Sequence, residues 1–148
     1  MMRPGSVAAS AGMGLAAGLA GTAAMMTNTV LETRLGAEPA SAAAVQAAGK
    51  VLGIRPESKW FGALVHLGYG SGWGLARGIL GYLGLSAPAA TAVHMAALWS
   101  SEQVALPALG VTPPITRQGA GDIVVEAWNC LAYATVTTAA YELLARTC

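Results

Sequence analysis

Trp60 to Leu83 reads WFGALVHLGYGSGWGLARGILGYL. As a helix the stretch is long enough to cross a bilayer, for which about 20 residues suffice. Yet it carries His66, Tyr69, Trp73 and Arg77. These fall at i, i+3, i+7 and i+11, on one face of an α-helix. The other faces are glycine and aliphatic. The pattern predicts a small membrane bundle in which a polar and aromatic stripe looks inward.

Composition points the same way. The chain has 148 residues, enough for one domain, and is 55% hydrophobic and only 10% charged. A soluble domain carries about 25% charged residues and needs them for its surface. Mean hydropathy is +0.55. Net charge is +1 with no basic run, which argues against nucleic acid, whose binding neutralises several phosphates. Cys130 and Cys148 form no CxxC or zinc pattern. Eighteen helical residues would hold them about 27 Å apart, too far for a disulfide.

Four spans follow, at about residues 7–30, 60–83, 88–106 and 123–144. Each approaches the 20 or so residues that a 30 Å hydrocarbon core requires. Backbone groups in lipid must be satisfied internally, so the spans are expected as helices. The first resembles a secretory signal at its start. At about 23 residues it is long for such a segment, and it is read as a retained helix. Gly14, Gly18 and Gly21 share one of its faces, as do Gly70, Gly74 and Gly78 in the second span. Small residues at that spacing let neighbouring helices approach closely. The polar connection 32–59 contains Ser41–Leu52, with Val45, Ala48 and Leu52 on one face and Gln46 and Lys50 off it. That predicts a short helix at the membrane interface, ended by Gly53 and Pro56 and followed by an anchor of Lys59, Trp60 and Phe61. Ser86 and Pro88 suit the start of the third span. Pro107 and Pro113-Pro114 suit its end, and Asp122 is expected to cap the fourth.

The two halves are alike. Shifted by about 74 positions, Leu35-Gly36-x-x-Pro39 falls on Leu109-Gly110-x-x-Pro113. Shifted by about 64, Leu67-x-Tyr69 falls on Leu131-x-Tyr133. The fold expected is therefore all-α: an integral membrane bundle of four transmembrane helices with an internal two-helix repeat. Two spans per half make the repeat parallel, about an axis along the membrane normal.

HLGYG at His66–Gly70, ALW at Ala97–Trp99 and the run from Val104 through Leu106-Pro107-Ala108-Leu109-Gly110 to Pro113 resemble the YagU-type family of small bacterial inner-membrane proteins. The resemblance implies a multi-pass protein of the inner membrane and, the family being largely of unknown function, implies no mechanism. That family's pattern has a second H-L-x-Y-G in the last helix. Here the position reads Cys130-Leu131-Ala132-Tyr133-Ala134, without the histidine and the final glycine, so a role needing both histidines is not carried over.

Arg34, Lys50, Arg55, Lys59 and Arg117 lie on the side of the first and third loops, against Arg3 and Arg146 opposite. That bias places the first loop in the cytoplasm and both termini outside.

Depth along a helix follows from its rise of about 1.5 Å per residue. Counted from the first-loop face, His66, Glu102, Glu126, Asn129 and Asn28 all lie within about 9 Å of it. Tyr69 and Tyr133 stand beside them. Arg77 and His94 form a second polar layer, about 7–9 Å from the opposite face. Ionisable groups within a span usually face the interior and pair, so His66 is expected to meet Glu102 or Glu126. Arg77 is expected over the rings of Trp73 and Tyr141 or snorkelling to the interface. A histidine among carboxylates makes a proton-responsive site. The same three residues offer a metal set, without supporting spacing. Haem ligation by His66 and His94 is disfavoured by their difference in level, about 12 Å. The plainest reading makes all of these groups inert glue between helices.

No GxSxG, Walker loop, HExxH or dinucleotide fingerprint is present. No catalytic residue, metal or cofactor is predicted. The function expected is a structural or regulatory membrane component with a titratable interior. The alternatives are a small proton- or ion-coupled transporter acting as an oligomer, and a membrane subunit of a larger complex. The partners expected are the lipid bilayer and a second copy or a larger membrane complex.

Overall fold

The computed structural model describes residues 6–36, 41–55, 57 and 59–147. Among these the secondary structure is helical throughout: α1 (Val7–Arg34), α2 (Ser41–Leu52), α3 (Lys59–Tyr82), α4 (Ala87–Ala108) and α5 (Ala120–Thr147), with a 3-10 turn at Ile115–Arg117. The all-α class is as expected. Pro39, Pro56 and Cys148 lie outside the described residues.

Each helix begins and ends for a local reason. Ser6 caps α1, its hydroxyl accepting from the Ala9 N–H at 3.1 Å. Ser86 stands at the N-cap of α4 and Pro88 in its first turn, although the serine hydroxyl makes no capping bond. Pro107 was expected to end α4. It lies instead within the last turn, where a missing N–H loses a single ladder bond. Asp122 was expected to cap α5. The helix starts two residues earlier, and Asp122 sits in its first turn, where a carboxylate favours the positive end of the helix dipole. Gly36 and Gly110 close α1 and α4 with φ of +77° and +63°, the left-handed geometry that glycine adopts without strain. The two Leu-Gly turns matched in the sequence are thus alike in conformation.

The four long helices have 28, 24, 22 and 28 residues, so all have the length of a span. Only α1 among the described residues is also apolar enough to cross a membrane on length and composition alone. Polar insertions dilute the rest: His66 and Arg77 in α3, His94, Glu102 and Gln103 in α4, Asp122, Glu126 and Asn129 in α5.

Helix α1 packs chiefly on α3 and then on α5, and α4 packs on α5. The α1–α3 seam is glycine on glycine. A Cβ built on Gly18 would stand 2.9 Å from the Gly74 Cα, and one on Gly14 would stand 2.9 Å from the Gly78 Cα. Real side chains do not approach that closely, so the seam exists because both rows lack a Cβ. The α4–α5 contact is made by side chains instead. Leu98, Cys130 and Tyr133 form its buried cluster, with Met25, Tyr69, Trp73, Met95 and Trp99 against it.

The distribution of polarity is inverted. The buried face of α1 is Ser10, Gly14, Ala17, Gly18, Gly21 and Thr22, while Val7, Leu15, Leu19, Met26 and Val30 point outward. Helix α3 buries Arg77 and exposes Leu64, Leu67, Leu75 and Ile79. Helix α5 buries Asn129, Thr137 and Thr138 and exposes Val124, Trp128 and Leu143.

Candidate functional site

Between α2, the first half of α3, the second half of α4 and the start of α5 lies a partly open cavity of about 720 Å³. Its size follows from the residues around it. Helix α2 offers Ala44, Ala47 and Ala48 to the space, and α3 offers Gly68 and Gly70, so bulk is missing on both sides. Val51, Leu52, Phe61, Val65 and Leu106 complete an apolar wall. The polar lining is His66, Tyr69, Ser101, Glu102, Glu126, Asn129 and Cys130.

Of the six residues expected in the first polar site, His66, Tyr69, Glu102, Glu126 and Asn129 therefore share this cavity. Tyr133 does not line it. Its ring packs against Gly21, and its hydroxyl donates to the Gly70 carbonyl.

The pairing within the cavity differs from expectation. His66 forms no hydrogen bond or ion pair with Glu102 or Glu126. The Tyr69 hydroxyl donates to Glu102 Oε1 at 3.0 Å, and the Cys130 thiol donates to Glu102 Oε2 at 3.3 Å. Gln103 Nε2 donates to Glu126 Oε2 at 2.5 Å and is backed by Gln118, whose amide donates to Gln103 Oε1 at 3.3 Å. Asn129 Nδ2 donates to Glu32 Oε1 at 2.7 Å, and its Oδ1 accepts from Asn28 Nδ2 at 3.1 Å. The reason is azimuth. Depth counting put these groups at one level, but the turn of each helix aims His66 at the cavity and Tyr69, three residues on, at Glu102. Among the described residues no three His, Cys, Asp or Glu side chains gather as a metal set.

The second layer separates into two environments. Arg77 is fully buried. Its Nε donates to Thr138 Oγ1 at 3.0 Å, its Nη2 pairs with Glu142 at 2.9 Å, and its guanidinium lies 4.3 Å from the Tyr141 ring centre. The Tyr141 contact is as expected, while Trp73 turns elsewhere and the arginine does not snorkel. Thr91 of α4 joins through a 3.0 Å hydrogen bond from its hydroxyl to Thr138. His94 sits apart, its ring 6.1 Å from Trp73 and 5.6 Å from Tyr133. Neither of its nitrogens has a hydrogen-bond partner among the described residues.

Three contributors escaped the sequence reading. Glu142 lies near a helix end, where a carboxylate is ordinarily solvated. Cys130 lies in an apolar segment and carries no metal or disulfide pattern, so nothing in the sequence points to its contact with Glu102. Lys50 was read as an outward charge of α2, yet its ammonium donates to the Leu109 and Gly110 carbonyls at 2.9 and 3.0 Å. Those carbonyls belong to the turn that closes α4, so the lysine ties α2 to that turn beside the cavity.

The site is rich in acceptors and poor in cations. No lysine or arginine lines it, and neither Glu102 nor Glu126 has an ion-pair partner among the described residues. No family model, curated protein or solved structure matches the chain. The likeness to the YagU-type proteins therefore rests on its short motifs alone.

Proposed function

We propose that the chain is a multi-pass protein of the bacterial inner membrane, α1, α3, α4 and α5 spanning it as two parallel halves and α2 lying at the cytoplasmic interface. The observation that carries the reading is the inverted polarity. Leucine, valine and isoleucine face outward on three sides while arginine, histidine, asparagine and threonine are buried. Water would reverse that arrangement, and lipid favours it. The scarcity of charge and the lengths of the four helices support it too.

Within that membrane the protein is a regulatory component rather than an enzyme, and the α2-covered cavity is its working part. An apolar vessel of this size with a few convergent polar groups is the usual form of a small-molecule site. Occupancy would act on α2, which packs chiefly on α3 and reaches the turn after α4 through Lys50.

Membrane extraction tests the first half of the proposal. The chain is expected to stay in the pellet after alkaline carbonate washing. Thiol-specific labelling of single cysteines is expected to place Gly84 on one side and Gln118 on the other. Release by carbonate, or both positions reporting the same side, would remove the four-span reading.

One observation favours a second reading. The cavity and the buried Arg77 are separated by a cluster of Trp73, His94, Leu98 and Tyr133, as a transporter would separate two half-paths. Proton or cation flux into liposomes that is lost in Glu102→Gln and kept in Leu67→Ala would support it. Protein-independent flux would end it.

A further inference from the structure

We infer that the cavity binds a single-chain amphiphile whose head is an ammonium group. The inference rests on the reading that this cavity is the working part of the protein, and it names the ligand class. Four features carry it. The wall is aliphatic and aromatic over most of its area, which suits a hydrocarbon tail. The volume of about 720 Å³ falls in the range of roughly 300–1,000 Å³ that holds one small ligand. Two carboxylates, Glu102 and Glu126, reach the cavity, and their protein partners are the neutral donors Tyr69, Cys130 and Gln103.

A carboxylate within a bundle normally meets a cation. Here the ligand would supply it. An ammonium brings three donors and no acceptor, the complement of this lining. Tyr69, Trp73 and Phe61 are the aromatic residues of the same lining, and cations favour aromatic rings. A phosphate or carboxylate head would find no lysine or arginine in the lining and only one basic group, the His66 imidazole, since the nearby Lys50 is committed to the Leu109 and Gly110 carbonyls.

The occupant enters sideways. The cavity is partly open, and Leu64, exposed on the outer face of α3, lines it as well. A molecule dissolved in the surrounding lipid would therefore reach Glu102 without crossing water.

The test is equilibrium binding of radiolabelled n-decylamine to the full chain in phosphatidylcholine nanodiscs, with empty nanodiscs as blank. Saturable binding of one amine per chain is expected, with 1-decanol and decanoate competing at least tenfold less well. Glu102→Gln is expected to weaken binding tenfold or more. Ala48→Phe, which adds bulk to the α2 wall of the cavity, is expected to abolish it, and this variant serves if Glu102→Gln does not fold. Binding no better than the blank, equal competition by decanol, or unchanged binding in Ala48→Phe would overturn the inference. Displacement of the amine by phosphatidylethanolamine doped into the discs would overturn the single-chain assignment. A chain that resists carbonate but binds no amine loses the ligand and keeps its place in the membrane; a chain released by carbonate loses the latter.

Discussion

Arg77 is the residue on which most of the interior polarity converges. Its guanidinium, fully buried, ties α3 to α5 through Glu142 and Thr138, and Thr138 in turn to Thr91 of α4. Removing one member of a buried pair costs about 3–5 kcal/mol, because the other charge is left without compensation. Glu142 keeps 25% exposure, so Glu142→Gln is expected near the low end, about 3 kcal/mol. The measurement is unfolding in mixed detergent and SDS. Arg77→Met combined with Glu142→Leu is expected to recover most of the loss, since the buried charges leave together. Lys50 is a second test at this scale. Lys50→Ala is expected to speed hydrogen exchange of the α2 amides and leave α3 and α5 protected. Equal exchange throughout would show that alanine packing alone holds α2.

At the scale of elements, the α1–α3 seam makes a prediction with an internal control. Gly74 faces Gly18, and a Cβ there would meet its Cα at 2.6 Å, whereas Gly72 has nothing within 4 Å. Gly74→Ala is expected to cost about 1–3 kcal/mol by overpacking. Gly72→Ala is expected to be neutral or to gain up to about 1 kcal/mol of helix propensity. Melting temperatures of the two variants in one detergent decide it. Much of this scale was legible beforehand. Apolar length, Ser86 and the Leu-Gly turns set helix bounds within a few residues, and the two glycine rows announced a close seam; the Ser6 cap was not read from the sequence. The partners of Glu102, Glu126 and His66 were not legible. Rise per residue gives depth, but pairing depends on how each helix is rotated, which packing on α1 decides for α3. Polar insertions leave α3, α4 and α5 with the length of a membrane crossing but not its apolar composition.

For the whole molecule, what faces outward matters most. Trp60 and Trp128 are 81% and 60% exposed, while Trp73 and Trp99 are partly buried. Single-tryptophan variants in bilayers containing spin-labelled lipid are expected to show strong quenching at Trp128 and Trp60 and weak quenching at Trp73 and Trp99. Uniform quenching would mean that the bundle opens in lipid. Strong quenching by an aqueous agent at Trp128 would remove α5 from the membrane.

The Arg77–Glu142 bond has a further consequence during synthesis. Its members are 65 residues apart in the chain, and at roughly 5–20 residues per second the arginine would emerge about 3–13 s before its carboxylate exists. For that interval α3 would carry an unpaired charge at the point of insertion. A ribosome stalled between α3 and α5 would leave a half-made chain with a charge it cannot bury. If the bundle spans the membrane as proposed, α5 would decide whether α3 stays inserted, and a chain cut short before Glu142 would hold Arg77 there without its carboxylate.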